Sequence, residues 1–193
     1  MPEIEITEDI LNQYSALRER FGFLTDAEFL KFCLEAAQGR YWLAVSAIVT
    51  RNDREILMVG NDYDQEELIW NLPGGAVDLG EDLLQAVARE LYEETSITAL
   101  EIGQLAWIVQ GVRANDRPFI IAFAFEVTAW EGEVSIVNEV DHGDVQQAKF
   151  VPYEDALGCM IPGNQSAFRD WLQSPEDFPR IYLTSPHGTK RVK

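Results

Sequence analysis

The feature that most constrains the fold is a strand, a glycine-bearing turn and an acidic helix that follow one another between residues 68 and 95. The apolar run LIWNL predicts a short strand, and Pro73-Gly74-Gly75 ends it. From Glu81 to Thr95, apolar residues recur at helical spacing. Strands surround this central helix, and further helices lie at the edges. The pattern therefore predicts a mixed α/β sandwich.

The acidic face of the central helix needs an explanation. Glu90, Glu93 and Glu94 are spaced i, i+3 and i+4, so their Cβ atoms lie roughly 5 to 6 Å apart on a helix. They point roughly 120° away from the apolar stripe, along the rim of a cleft. That stripe, which we assign to the core, consists of Leu84, Val87, Ala88 and Leu91. The carboxylates either form a solvated acidic face or hold a divalent cation such as Mg²⁺ or Mn²⁺, which prefers oxygen ligands.

The pattern divides the chain into three segments. Residues 1–40 carry apolar side chains at helical spacing in two stretches and predict a helical hairpin. The apolar stripe of this hairpin needs a partner, which is either the main domain or a second subunit. Residues 41–173 alternate as strands do and predict the main domain. Residues 174–193 contain three prolines and predict an irregular tail that ends in the basic run TKRVK.

The main domain is expected to contain several strands and two further helices. LAWIVQGV and PFIIAFAFEVTAW predict a β-hairpin with Asn115-Asp116 at its turn. The helices are expected at YEDAL and from Asn164 to Gln173. The other strands are predicted at YWLAVSAIVT, REILMVG, LIWNL, EVSIV and AKFVP.

Composition excludes several classes of protein. With 33 acidic and 15 basic residues the formal charge is −18, which argues against binding duplex DNA or RNA. A phosphate-bearing substrate would need metal ions and a few arginines. The N-terminus lacks an apolar signal region, and no run is long and apolar enough to cross a membrane. Two distant cysteines fit a reducing cytoplasm and no zinc site.

The stretch GAVDLGEDLLQAVARELYEETSI, from Gly75 to Ile97, resembles the Nudix box, G-x5-E-x7-R-E-U-x-E-E-x-G-U, where U is a bulky aliphatic residue. One position departs from the pattern, because Ser96 stands where the family has a glycine. The resemblance implies a Nudix-type α/β/α sandwich with a mixed β-sheet, an α+β fold to which the N-terminal helical hairpin is added. The positions that match in register are Gly75, Glu81, Arg89, Glu90, Leu91, Glu93, Glu94 and Ile97.

The resemblance implies an activity. Nudix hydrolases cleave a pyrophosphate linkage in nucleoside diphosphate derivatives with Mg²⁺ or Mn²⁺ and a water nucleophile. By resemblance Glu90, Glu93 and Glu94 are the metal ligands, and one of them acts on the water. A backbone carbonyl of Gly74 or Gly75 is expected to complete the coordination.

Two further box positions have expected roles. Arg89 is expected to pair with Glu81 or with Glu93, its i+4 neighbour, and so to fix the loop on the helix. Ser96 follows the helix, where a left-handed residue is common, and a non-glycine residue there costs roughly 1 kcal/mol. The resemblance gives Ser96 no ligand role, so we expect activity to be retained.

Other candidates lie outside the box. The family often takes a further carboxylate from a loop before the last strand, here VNEVDHGDVQQAKF. Glu139 is the first choice for the general base and Asp144 the second. Asp141 is a third, whereas His142 reads as a solvated loop residue. Arg113 and Arg117 either bind substrate phosphate or solubilise a turn. Trp107 and Tyr63 either stack on a base or belong to the core.

The expected function is therefore metal-dependent hydrolysis of the pyrophosphate bond in a nucleotide sugar or a nucleoside triphosphate. The alternative is a Nudix-like regulatory module that binds a nucleotide without turnover. We expect a cytoplasmic protein that acts on a small nucleotide, without a membrane or duplex nucleic acid as partner. Its helical hairpin either packs on the main domain or forms a homodimer.

Overall fold

The computed structural model describes residues 42–62, 67–111, 120–136, 145–174, 179–185 and 188–192. All of them belong to the second of two units into which the chain divides, residues 41–193. The helical hairpin predicted for residues 1–40 and the predicted Asn115-Asp116 turn lie outside the described residues.

The described residues form eight strands and three helices. The strands are β1 Trp42–Arg51, β2 Glu55–Asn61, β3 Ile69–Asn71, β4 Thr98–Gly111, β5 Ile120–Glu131, β6 Val145–Pro152, β7 Arg180–Ser185 and β8 Gly188–Arg191. The helices are α1 Leu83–Thr95, α2 Tyr153–Cys159 and α3 Pro162–Gln173. None of these helices is both long and apolar enough to cross a membrane.

The strands form one mixed sheet. Their order is β3-β2-β1-β5-β4-β7-β8, and β6 pairs with β2. Strand β1 is parallel to β5, and β4 is parallel to β7, whereas the other pairs are antiparallel. The antiparallel pairing of β4 with β5, predicted from their apolar runs, is confirmed.

Two hydrophobic clusters lie on opposite faces of the sheet. Helix α1 packs on one face, where Val87 and Leu91 are fully buried against strand residues such as Val49. Helices α2 and α3 pack on the other face, where Phe168 and Trp107 are fully buried. The expected α/β/α sandwich with a mixed sheet is therefore confirmed.

Helix α1 begins later than the sequence indicates. Its N-cap is Asp82, whose side chain accepts hydrogen bonds from the backbone of Leu84 and Gln85 in a capping box. The predicted burial of Leu84 is wrong, since this side chain is 45% exposed. Leu84 lies in the first turn, whereas the buried residues of the helix begin at Ala86.

Helix α1 ends at Thr95, and its C-cap Ser96 adopts the left-handed conformation expected for the family's glycine, with φ 59° and ψ 13°. This conformation costs a non-glycine residue roughly 1 kcal/mol. The Ser96 hydroxyl donates to the carbonyl oxygen of Ser135 at 3.0 Å, and the Ser135 amide donates to the Thr95 carbonyl at 2.9 Å. These bonds hold the helix end and offset part of the cost.

Two predictions about the remaining chain are wrong. The run EVSIV does not form a strand over residues 133–136, because the chain turns at Gly132, with φ 110°, and Val134 packs against the α1 cluster instead of pairing. The tail predicted to be irregular contains β7 and β8, and β7 pairs with β4.

Helix α3 begins at Pro162, two residues before its predicted start, with the proline in its first turn.

Candidate active site

The glycine turn is bonded to strand β1 along its length. The amide of Ala47 donates to the Pro73 carbonyl at 2.8 Å, and the amide of Val45 donates to the Gly75 carbonyl at 2.9 Å. We call residues 73–77 the glycine loop. These hydrogen bonds hold the backbone of the loop against β1 as the strands of a sheet are held, so the loop has a fixed position next to helix α1.

The two glycines are required for different reasons. A Cβ atom on Gly74, which has φ 150°, would lie 2.1 Å from the Val45 carbonyl oxygen. A Cβ atom on Gly75 would lie 2.6 Å from Oε1 of Glu90. The Gly74 amide also donates to Oε2 of Glu94 at 2.7 Å. Two carboxylates of α1 therefore lie directly against the loop.

Arg89 joins the helix to the loop through all three nitrogens of its guanidinium. Nε and Nη2 donate to the two oxygens of Glu81 at 2.9 and 3.0 Å. Nη1 donates to Oε1 of Glu90 and Oε2 of Glu93, each at 2.9 Å, and Nη2 donates to the Ala76 carbonyl at 2.9 Å. Arg89 thus pairs with both partners predicted for it, Glu81 and Glu93. Its bonds to Glu90 and Ala76 were not predicted.

The charged groups in this cluster shift one another's pKa values. Hydrogen bonds from the Arg89 guanidinium lower the pKa of Glu81 below its usual value of 4.5, although partial burial opposes the shift. The pKa of Arg89 is raised, chiefly by its bond to Glu81, so the arginine stays charged at any ordinary pH. Arg89 therefore acts as a permanent cation among three carboxylates.

The lowered pKa of Glu81 predicts how stability depends on pH. Replacing Glu81 with Gln is expected to lower the free energy of unfolding at pH 7 by about 1 to 2 kcal/mol, because a charge-assisted pair is lost. A group whose pKa is depressed by folding stabilises the protein above its unfolded pKa and loses that effect as the pH falls through the folded pKa. The difference between wild type and variant should therefore shrink as the pH falls below the ordinary pKa of Glu81, 4.5, and vanish only below the lowered pKa that Glu81 has in the folded protein. Urea unfolding over this range measures it, and a constant difference would contradict the prediction.

The candidate ligands are carboxylate and carbonyl oxygens, and this chemistry suits a divalent ion. Oε1 of Glu90 and Oε2 of Glu93 are each 2.9 Å from the same nitrogen of Arg89, so the two oxygens are at most 5.8 Å apart. Carboxylate oxygens are the ligands that Mg²⁺ and Mn²⁺ prefer. The Gly75 carbonyl, also an expected ligand, accepts one bond from Val45 and keeps a second lone pair. Among the described residues, no three Asp, Glu, His or Cys side chains converge as in a formed metal site.

Most candidates outside the box lie outside the described residues. These are Tyr63, Arg113, Arg117, Glu139, Asp141, His142 and Asp144. Trp107 is described, and it is fully buried, so it belongs to the core and cannot stack on a substrate base.

On the face of the sheet that packs against α2 and α3, three side chains form a series of hydrogen bonds that the sequence did not reveal. Oδ1 of Asn164, at the start of α3, accepts a bond from the indole Nε1 of Trp107 at 3.0 Å. Its Nδ2 donates to Oδ1 of Asn71 at 2.8 Å. Asn71 is the last residue of β3, two positions before Pro73. The available signal was a polar residue on the apolar face of α3, at i−3 and i−4 from Ala167 and Phe168.

Comparisons with known proteins agree with this geometry. A family model described as NUDIX domain matches residues 40–173. An RNA pyrophosphohydrolase from Rhizobium meliloti is 49% identical over 132 residues, which cover 59% of this chain and 77% of that protein. An RNA pyrophosphohydrolase from Nitrobacter winogradskyi is 30% identical over 132 residues, which cover 58% of this chain and 76% of that protein.

A solved structure gives the same result for the fold. The crystal structure of a MutT protein from Methanosarcina mazei Go1 superposes with a TM-score of 0.60 and 24% sequence identity. The superposition covers 72% of this chain and 98% of that one. The family model spans most of the chain, and the first of these relatives is matched over more than two thirds of its own length. The chain belongs to the Nudix family of pyrophosphohydrolases.

Proposed function

We propose that this enzyme uses Mg²⁺ or Mn²⁺ to hydrolyse the pyrophosphate linkage at the 5′ end of RNA. The observation that carries the proposed phosphoryl chemistry is the arrangement of Arg89, which joins Glu81, Glu90 and Glu93 through one guanidinium beside the glycine loop. This arrangement keeps acidic oxygens gathered at a rigid backbone edge. Such a site suits phosphoryl chemistry, in which positioning and charge stabilisation do most of the work.

The metal is proposed to bind to Glu90, Glu93 and Glu94, with the Gly75 carbonyl as a further ligand. Bound ions supply charge stabilisation for the phosphate oxygens and an activated water. The protein's part is to hold these side chains. Gly75 makes room for the Glu90 carboxylate, and the Gly74 amide holds Glu94. Glu139 is the first candidate for a general base and Asp144 the second, while Arg113 and Arg117 are proposed to contact phosphate.

The substrate assignment rests on the names of the two relatives, both RNA pyrophosphohydrolases. In an RNA chain an anhydride linkage occurs at a 5′ triphosphate end, so that end is the proposed site of attack. A single-stranded end also needs fewer cationic contacts than a duplex.

A nucleotide sugar or a free nucleoside triphosphate is the second candidate substrate. The formal charge of −18 favours it, because a small nucleotide carries few phosphates to be repelled. The cytoplasm is the proposed location, and a homodimer through residues 1–40 stays a prediction.

The test measures turnover with Mg²⁺, with Mn²⁺ and after chelation. The substrates are a 12-nucleotide RNA with a 5′ triphosphate, nucleoside triphosphates and nucleotide sugars. Pyrophosphate or phosphate release is followed for the triphosphates. For the nucleotide sugars, phosphate is followed after a phosphatase has acted on the monophosphate products, and chelation before that step is expected to abolish turnover of every substrate. A kcat/KM for the RNA at or below that for the free nucleotides would shift the assignment to the second candidate.

A Glu94→Gln variant is expected to lose about a hundredfold in kcat, because the loss of a metal-holding carboxylate affects the chemical step. Glu101→Gln, the same change at an exposed glutamate of β4, is the matched control and should keep wild-type turnover. Turnover within threefold of wild type in the Glu94 variant would remove Glu94 from the proposed metal site.

A further inference from the structure

The C-terminal segment has a charge opposite to that of the chain. Residues 179–193 contain Arg180, Lys190, Arg191 and Lys193 and no Asp or Glu, whereas the whole chain has a formal charge of −18. The segment lies beyond the matched family model, which ends at residue 173. We call the pair of strands β7 and β8 the basic hairpin. Positive charge is therefore concentrated in an element added to the family's domain.

The basic hairpin is firmly attached to the sheet. The buried Tyr182 donates through its hydroxyl to Oδ2 of Asp170 on α3, at 2.9 Å. Burial, and then the bond to Asp170, raise the pKa of Tyr182 to about 12, so the hydroxyl keeps its proton. The same Oδ2 lies 3.7 Å from Nη1 of Arg180 and 4.0 Å from Nη1 of Arg191. One carboxylate thus faces two guanidiniums at long distance, which leaves the hairpin with net positive charge.

The register of the sheet relates this hairpin to the glycine loop. A single row of paired residues crosses the sheet from the loop to the outer strand β8. Its members, in order, are Ala76, Ala44, Ala122, Val109, Tyr182 and Arg191. Five interstrand spacings of about 4.8 Å place Arg191 at most about 24 Å from Ala76. Lys190 and Arg191, both exposed on the outer strand, therefore lie in register with the glycine loop. Their side chains point to opposite faces of the sheet, and Arg191 shares the face of Tyr182 and helix α3.

We propose that the basic hairpin binds the phosphate backbone of single-stranded RNA whose 5′ end lies at the glycine loop. This inference rests on the proposed function. Lys190 and Arg191 supply exposed cations in an otherwise acidic chain, and backbone contacts of this kind are independent of sequence. A strand that stays stacked, with the duplex rise of about 3.4 Å per nucleotide, needs roughly seven nucleotides to span 24 Å. The hairpin should therefore improve binding only for RNA longer than this.

The experiment measures binding by fluorescence anisotropy with the full-length wild-type protein. The probes are RNAs of 4 and 12 nucleotides with a 5′ monophosphate, which lacks an anhydride to hydrolyse. The Lys190→Ala/Arg191→Ala variant is expected to bind the 12-mer roughly tenfold more weakly at low salt and to bind the 4-mer as wild type does. Its slope of log K against log salt should fall by about 1.4, the value for two contacts with a single strand.

The control removes one cation elsewhere. Arg54→Ala, at an exposed position in the turn between β1 and β2, should leave binding of the 12-mer unchanged. An equal loss in this control, an equal loss for the 4-mer, or no binding of the 12-mer by wild type would overturn the inference.

Turnover tests the two proposals separately. If the Lys190→Ala/Arg191→Ala variant hydrolyses the triphosphate RNA as fast as the wild type does, the proposed function stands and the hairpin's role is rejected. Hydrolysis of free nucleotides alone would reject the RNA assignment, while anisotropy still decides whether the hairpin binds the strand.

Discussion

A Gly74→Ala variant is expected to be about 3 kcal/mol or more less stable than the wild type. The added Cβ would lie 2.1 Å from the Val45 carbonyl oxygen and 2.7 Å from the Cα atom of Ser46. Both atoms belong to the backbone of β1, which cannot move aside without breaking its pairing with β5. The φ of 150° is also one that side-chain-bearing residues rarely adopt. The loss is a large share of a typical stability of about 5 to 15 kcal/mol.

Urea unfolding measures the effect, and Gly75→Ala is the matched control. There the three atoms nearest to the added Cβ all belong to the carboxylate of Glu90, at 2.6 to 2.7 Å, and this group lies at the end of a flexible side chain. Gly75→Ala is therefore expected to cost under about 1.5 kcal/mol in stability while it displaces Glu90 and lowers turnover. Equal unfolding midpoints for the two variants would show that the loop can leave β1 at little cost.

An Arg89→Met variant is expected to lose about a thousandfold in kcat/KM. Methionine retains much of the side-chain length but none of the donors, so Glu81, Glu90 and Glu93 lose their common partner at once. The loss of one group that orients a metal ligand typically costs 10- to 100-fold, and here two candidate ligands and the loop are affected together. Repulsion among the remaining carboxylates adds to the loss.

Arg89→Lys separates charge from geometry. A lysine keeps the positive charge but is a point donor that cannot hold Glu81 through two parallel bonds. We expect its activity to lie between those of wild type and Arg89→Met. Arg51→Met, at an exposed arginine that pairs with Glu55, is the control for loss of a surface arginine. An Arg89→Met enzyme within tenfold of wild type would show that the carboxylates hold their positions without it.

The centre of the site could be predicted from the sequence because its chemistry is local. Glu90, Glu93 and Glu94 lie within a turn and a half of one helix, so their common direction follows from helical spacing alone. The bond between Arg89 and Glu93 is of the same kind, since the two are i and i+4. The left-handed turn at Ser96 followed from its position after the helix.

The bond from Gly74 to Glu94 spans twenty residues of sequence, and its geometry depends on the pairing of the glycine loop with β1. Helical spacing contains no information about that pairing. For the same reason the sequence did not indicate the contact between Gly75 and Glu90 or the bond from Arg89 to the Ala76 carbonyl.

The basic hairpin was missed although its sequence carried a signal. Ile181, Tyr182 and Thr184 have side chains that favour strands, but the prolines around them indicated an irregular tail. Prolines outside a strand end it and do not prevent it. The opposite error occurred at EVSIV, where Val134 found its apolar partners in the core without joining the sheet.

The amide of Asn164 unites three distant stretches of the chain, since Trp107 is 57 residues before it and Asn71 is 93 residues before it. An indole nitrogen can only give its hydrogen, so the oxygen of the amide must turn towards Trp107 and its nitrogen towards Asn71. A displacement of helix α3 therefore pulls on the strand that leads into the glycine loop. The position of helix α3, on the face opposite α1, is thereby coupled through Asn71 to the glycine loop against which Glu90 and Glu94 lie.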